Sequence, residues 1–321
     1  MRRLLFSAAL LAICSLPSRA QTTSGSEGLL FLLLPTGAQA VGIGQAMAAA
    51  KPGSEGIWWN PASIAQQHEK ELAIHHSKTI AGVGDALSVV IPSSAGVIGL
   101  SLNILNLGDQ QLKDEFDNVI GVILPRDVVL AGSYANALTN RLSLGMNYKL
   151  VQLRFDCSGV CGSVGSGVET FRAADLGLQF DIMQRVPFTV GIALRNVGGR
   201  LNSTTSNKRN PLPTQSELSA MYRLKFIDRY VKDMDIRACI SSLNSRAFGG
   251  QSVRLGADIA YQEKVHLRGG YVGRDRRGEA SAALGFGLRS GAFAFDIART
   301  FGGLPADNGQ APVYASFRYL F

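Results

Sequence analysis

Charge is scarce in this sequence: Asp, Glu, Lys and Arg make up 17% of its 321 residues, against roughly 25% in ordinary soluble domains. Histidine occurs four times, cysteine four times and tryptophan twice. With 46% hydrophobic residues the chain is too apolar to be disordered. Long apolar runs are nonetheless few, and the mean hydropathy is only weakly positive, which excludes a polytopic helical membrane protein needing about 20 apolar residues per span. What is plentiful is glycine, 36 residues. Because interior Gly costs a helix about 1 kcal/mol, this abundance argues against a helix-dominated fold. A barrel would hide its hydrophobicity by alternation.

The first twenty residues read as a secretory signal peptide. Arg2 and Arg3 precede an apolar run, Leu4 to Leu16, and Ser18-Arg19-Ala20 offers a cleavage point before Gln21. Cys14 is not a lipidation site, because Ile13 stands where a small residue should precede it. Cleavage removes three of the positive charges behind the net +8, leaving +5, too mild an excess to imply nucleic acid. Cys157 and Cys161 lie four apart in a Gly/Ser-rich stretch and are candidates for a loop disulfide in an oxidising compartment. Cys239 is remote from them, and His68, His75, His76 and His266 fall in no ligand spacing, so no metal or other cofactor is expected.

From about residue 71 the sequence alternates with period two. Phe293, Phe295 and Ile297 share one parity against Ala294, Asp296 and Ala298. Val253, Leu255, Ile259 and Tyr261 do so against Arg254, Asp258 and Gln262. Successive strand side chains point to opposite faces, so each segment has an apolar face and a small or polar one. A soluble sandwich and a membrane barrel both satisfy that pattern. The barrel is favoured by segments long enough to cross a bilayer, such as Asn140 to Phe155 and Thr170 to Ile182. It is favoured also by charges on the polar parity that would line a wet lumen, among them Arg195, Arg223, Arg237, Asp258 and Arg268. The expected fold is therefore all-β: an antiparallel transmembrane barrel of about 14 strands, residues 71–321, preceded by an N-terminal hatch over residues 21–70. Short links (Pro92 to Ala95, Ala137 to Asn140, Met183 to Val186, Gln262-Glu263, Ser290-Gly291) alternate with long ones (Asn106 to Asp127, Asp156 to Glu169, Gly198 to Thr214, Ser242 to Gly250, Thr300 to Gln310). That alternation puts the short links on the periplasmic side of a bacterial outer membrane. The uncharged stretch Leu29 to Ala50 could be argued as a membrane helix, but Pro35, Gly37, Gly42 and Gly44 interrupt it.

The run from Leu32 through Pro35, Gly37, Ala38, Gly42 and Gly44 to Ala46, followed by Trp58-Trp59-Asn60-Pro61-Ala62, resembles the N-terminal signature of FadL-like outer-membrane proteins. It looks closest to the PorV/PorQ branch associated with type IX secretion. Gln39 stands in place of that pattern's Arg, and Lys51-Pro52 in place of an acidic pair. The resemblance implies that this segment folds into the lumen as a hatch. At the other end, Phe317, Tyr319 and Phe321 alternate up to the terminus and resemble the signal read by the barrel-assembly machinery.

Catalysis is not expected, since lone His266 shares the lumenal parity and no paired carboxylates stand out. By resemblance the protein takes part in secretion or surface presentation of exported proteins, with cargo or secretion-system components as partners beside outer-membrane lipid. The alternative is a passive uptake channel for hydrophobic small molecules, with the hatch as gate. The polar run Asn202 to Asn210 suits protein docking, whereas Val119 to Leu124 suits uptake.

Overall fold

The computed structural model describes residues 29–161, 166–182, 187–198, 201–202, 209–210, 212–225, 232–247, 250–273, 280–302 and 311–321. The signal-peptide segment, most of the expected loop Gly198 to Thr214 and the link Met183 to Val186 lie outside them. In chain order the strands are β1 (Glu71–Thr79), β2 (Gly82–Ser93), β3 (Gly96–Asn106), β4 (Gln110–Lys113), β5 (Val119–Ala137) and β6 (Leu142–Gly159). There follow β7 (Gly167–Asp181), β8 (Phe188–Gly198), the two-residue β9 (Leu201–Asn202) and β10 (Arg209–Asn210), β11 (Gln215–Arg223) and β12 (Met234–Ser245). The last five are β13 (Gly250–Tyr261), β14 (Val265–Val272), β15 (Ser281–Ser290), β16 (Phe293–Gly302) and β17 (Val313–Leu320).

Fourteen of these strands pair antiparallel into a closed barrel; β4 lies outside the ring and pairs with β5, while β9 and β10 pair only with each other. β17 closes the ring against β1, from Glu71 opposite Leu320 to Lys78 opposite Val313. Lys70 and Phe321 extend that ladder with reciprocal backbone hydrogen bonds of 3.1 and 2.9 Å. Closure leaves no strand edge unpaired, the condition for a sheet to sit in lipid.

The period-two reading places side chains as expected. Along β13 Ser252, Arg254 and Ala260 are covered while Val253, Leu255 and Tyr261 are exposed. At the short-turn end the outward parity carries Phe180, Phe188, Tyr222, Tyr261, Phe293 and Tyr319, an aromatic girdle of the kind that marks a membrane interface. Phe293 stacks on Tyr319 with centroids 5.1 Å apart and on Phe317 at 5.8 Å; Tyr319 in turn stacks on Phe321 at 5.3 Å.

Several expected boundaries move. The expected loop Asn106 to Asp127 is largely strand, because β4 and the first residues of β5 form a hairpin standing above the ring. The expected loop Asp156 to Glu169 shrinks likewise: β6 runs to Gly159 and β7 begins at Gly167. Cys157 is thus a strand residue, hydrogen-bonded through its amide to Ser166 and disulfide-linked to Cys161. Apolar residues such as Val119, Ile123 and Val160 continue the alternation past the point where a loop was expected. The β1–β2 link, Ile80-Ala81, is tight although it lies at the long-loop end.

The last two residues complete the closing ladder and the ring stack. Deleting Leu320 and Phe321 should therefore lower the fraction of heat-modifiable, folded barrel severalfold, with Phe321→Ala intermediate. Comparing the electrophoretic mobility of boiled and unboiled samples measures it, and an undiminished folded band would show that closure does not need these residues.

Candidate functional site: the hatch in its socket

Residues 29–65 fold inward and fill the lumen, with only short helical turns at Leu30–Leu33, Ala38–Gly42, Gly53–Glu55, Gly56–Trp59 and Pro61–Ile64. No helix among the described residues is long and apolar enough to cross a membrane; Leu29 to Ala50 lies inside the ring with only two short turns. The turn Gly56–Trp59 stops at Asn60, whose extended backbone hands over to Pro61. Proline fits the first position of a helical turn because no intrahelical partner awaits its missing N–H. Asn60 caps that turn by accepting from the Ala62 amide at 3.0 Å, and its Nδ2 donates to the Ala48 carbonyl at 2.6 Å and to Leu178 of the wall at 3.2 Å.

So short a set of turns leaves many backbone groups unpaired, and each would be costly if buried that way. The wall supplies the partners. Gln179 donates to the carbonyls of Ala48 and Ala50 at 2.9 and 2.8 Å, Asn147 to Ile57 at 2.7 Å, and Arg254 to Gln45 at 3.2 Å. Ser316 accepts from the Ala38 amide at 2.8 Å, and Trp58 donates through its indole to Ser88 at 3.1 Å. Glu71 accepts from both the amide and the hydroxyl of Ser54.

Close approach requires missing side chains as well. Wall glycines Gly145, Gly177, Gly191, Gly256, Gly270 and Gly285 all occupy the inward parity, and a β-carbon added to any of them would meet hatch atoms. At Gly191 the obstacle is the Ala48 carbonyl, at Gly145 the Pro61–Ala62 peptide. Gly44 answers from the hatch side: it adopts φ +62° against the backbone of Leu255 and Tyr271. The wall glycines were legible only as small residues on the polar parity, since their purpose depends on a segment distant in sequence.

The five lumenal charges expected from the sequence do point inward, and three of them, Arg195, Asp258 and Arg268, are held in ion pairs. Arg195 meets Glu217 at 3.3 Å and lies over the Trp59 ring at 4.9 Å. Arg268 bridges Asp258 at 3.2 Å and Asp296 at 2.5 Å, and Arg318 completes the network on Asp296 at 2.8 Å. Arg223 and Arg237 share Asp235 nearer the periplasmic mouth and stay partly exposed. The hatch fills the lumen around Arg195, whereas Arg223, Arg237, Asp258 and Arg268 border the space left on the periplasmic side. Beside Arg195 the wall carries a bulge: β7 and β8 shift register between Ala174 and Leu176, and Asn196 adopts φ 57°. The bulge turns Asn196 inward, where its amide reaches Asp175 at 2.8 Å and its side chain accepts from Lys149 at 3.0 Å.

One buried group has the makings of a catalytic relay without its geometry. Ser316 Oγ lies 2.8 Å from His75 Nδ1, and Glu55 Oε1 lies 3.9 Å from the same nitrogen. A relay needs the nucleophile and the orienting carboxylate on opposite ring nitrogens. His75 Nε2 has no hydrogen-bond partner among the described residues, and the whole group is buried against the hatch. Glu55 itself accepts from the Ala40 and Gln39 amides at 3.1 and 3.4 Å. Burial pushes its carboxyl up to about 7, an effect that Asp296 adds to and Arg318 opposes.

Among the clefts that border the hatch, one lies above it and one below it on the lumen axis. On the extracellular side a narrow one with about 30 Å³ of room is lined by Phe31, Leu32, Leu34, Trp58, Trp59 and Val129, with Lys149, Arg195 and Arg254 among its polar groups. On the periplasmic side lies a cleft of about 560 Å³ lined by Ile43, Met47, Met221 and Cys239, together with Arg223, Arg237, Asp258 and Arg268.

With fourteen strands, closed antiparallel, and an inward N-terminal segment, the chain superposes on a set of solved outer-membrane channels. The CymD monoaromatic hydrocarbon channel matches with a TM-score of 0.60 at 15% identity, covering 92% of this chain and 99% of that one. The Ralstonia pickettii toluene transporter TbuX gives 0.56 at 13% identity, covering 88% and 97%. A Pseudomonas aeruginosa FadL homologue gives 0.54 at 13% identity, covering 89% and 98%. The fold is that of the FadL-like outer-membrane barrels. No protein-family model and no curated protein matches the sequence. These neighbours are transport channels, and the PorV/PorQ relation expected from the N-terminal motif gains nothing from them.

Replacing Gly191 by Leu, or Gly145 by Leu, should unseat the hatch while leaving the barrel closed. Protease nicking between residues 29 and 65 should rise at least tenfold with the folded band retained, and unchanged protection would count against the glycine contacts. Because the folded pKa of Glu55 lies above its ordinary 4.5, the seated hatch binds more protons than the free chain between about pH 4.5 and 7. Seating therefore weakens as pH rises through that window. The Glu55→Gln variant should lose this dependence, which protease protection measured from pH 5 to pH 8 would show.

Proposed function

We propose that this barrel is a passive channel for small hydrophobic molecules, with the hatch as its gate. The observation that carries the reading is the pair of clefts. Each combines apolar side chains, Phe31, Leu32, Leu34 and both tryptophans above and Ile43, Met47 and Met221 below, with polar and charged ones, and the residues 29–65 beside them are held by hydrogen bonds and close glycine contacts rather than by covalent links or long helices. An apolar side of aromatic and aliphatic residues facing polar groups that are already paired with one another suits a small neutral ligand. In the upper cleft Lys149 is neutralised by Asp175 at 2.7 Å and Arg195 by Glu217, so neither offers a free charge to an anion. With so little room above the hatch, entry of a ligand requires the apolar turn Leu30–Leu33 to shift. The neighbours named as toluene and monoaromatic hydrocarbon channels share this fold and support the same class of substrate here. The secretion reading rests on the resemblance of the N-terminal motif alone.

The chain's two tryptophans, Trp58 and Trp59, both line the upper cleft. Titrating the detergent-solubilised barrel with toluene or p-xylene should quench or shift the indole emission saturably, while glucose and benzoate should not. Cells with an intact outer membrane should in addition accumulate labelled toluene several times more slowly when the gene is deleted. A saturable response to sugar but not to hydrocarbon would overturn the proposal.

A further inference from the structure

The lipid-facing surface of β5, β6 and β7 carries three arginines. Arg126, Arg154 and Arg172 all lie on the outward parity and are exposed. Arg126 stands directly opposite Arg154 in the β5–β6 register, a like-charge pairing that works against the sheet unless an anion lies between them. Arg172 faces Leu150, one step diagonal from Gln152, which pairs with Thr170. Gln152 accepts from Arg154 Nε and Nη2 at 3.2 and 2.8 Å and so holds that guanidinium against the wall. The nearest acid on this face is Asp156, two residues further along β6 towards the rim.

The height of the cluster follows from the outward residues below it. On β6 these are Leu142, Leu144, Met146, Tyr148 and Leu150 before the first fully polar side chain, Gln152. On β7 they are Ile182, Phe180, Leu178, Leu176 and Ala174 before Arg172. On β5 Arg126 likewise stands ten residues from the turn-end Asn136. Ten residues at about 3.3 Å each, tilted about 40°, climb roughly 25 Å, the height of the apolar band of an outer-membrane barrel. The three strands thus change from apolar to cationic together, at the level of the outer-leaflet headgroups. Arginine presents its donors in a planar fork matched to phosphate oxygens.

We propose that Arg126, Arg154 and Arg172, with Gln152, form a binding site for a phosphorylated lipid headgroup of the outer leaflet, whose acyl chains lie down the apolar faces of β5, β6 and β7. The bound phosphate neutralises the Arg126–Arg154 pair and fixes the tall β5–β6–β7 side of the barrel at a defined depth. The site is separate from the lumen, so it stands whether or not the barrel conducts hydrocarbons.

The test uses the full chain purified in mild detergent, with native mass spectrometry reading bound lipid after addition of a bisphosphorylated glycolipid or its phosphate-free counterpart. Wild type should retain the bisphosphorylated lipid at least tenfold better than the phosphate-free one. The variant Arg126→Gln, Arg154→Gln, Arg172→Gln should lose that preference, whereas Arg299→Gln, at a distant outward arginine, should keep it. Heat-modifiable mobility confirms that each variant is folded, and the single variant Arg154→Gln serves if the triple one is not. Equal retention of both lipids by wild type, or undiminished preference in the folded variants, would overturn the proposal. So would displacement by equimolar inorganic phosphate, which would mark a site for free anion rather than for lipid.

Discussion

The backbone of residues 29–65 cannot satisfy its own hydrogen bonds, and the interior of the barrel is arranged around that fact. Helical turns of three to five residues leave most of their amides and carbonyls without partners. Inside a closed barrel, with little water to stand in, those groups must be met by the wall. Asn147, Gln179, Arg254, Glu71 and Ser316 meet them one by one, each from a different strand. The hatch is therefore less a domain than a segment whose conformation is written on the lumen.

This dependence explains why the wall around the hatch carries so much charge. Asp296 joins Arg268 to Arg318, Asp175 joins Lys149 to Asn147, and Glu217 joins Arg195 to Ser241 and the Ala48 amide. Each ion of these three networks is paired and hydrogen-bonded, the condition under which burial of charge is tolerable. Such networks add specificity of placement more surely than stability. Polar anchoring of this kind also suits a gate, because a partner lost on movement can be replaced by water entering the opened lumen. A hatch seated by a large apolar core would have no such exchange available.

The outer surface obeys a different solvent. Alternation there is governed by lipid, so the outward parity is Leu, Ile, Val and aromatic up to one level and changes character abruptly at the arginines of β5, β6 and β7. The aromatic girdle at the short-turn end and the cationic cluster on the opposite side bracket an apolar band of the expected height. Inner and outer faces of one strand thus answer to two environments, which is possible only because successive side chains point in opposite directions.

The sequence by itself determined the barrel. Period-two alternation from residue 71 was enough for the fold class and for about fourteen strands, because it is a local pattern. Inward placement of Arg195, Arg223, Arg237, Asp258 and Arg268 followed from parity alone. Loop boundaries were less legible: residues 110–126 and Cys157 read as loop because no local signal tells a strand in the bilayer from one standing above it. Glu55, Glu71 and Gln179 gave no sign of their roles, and the inward glycines looked merely small. Only the tertiary structure decided how the hatch is seated, since that depends on how residues 29–65 meet strands from every part of the ring, at separations over which sequence periodicity carries no information.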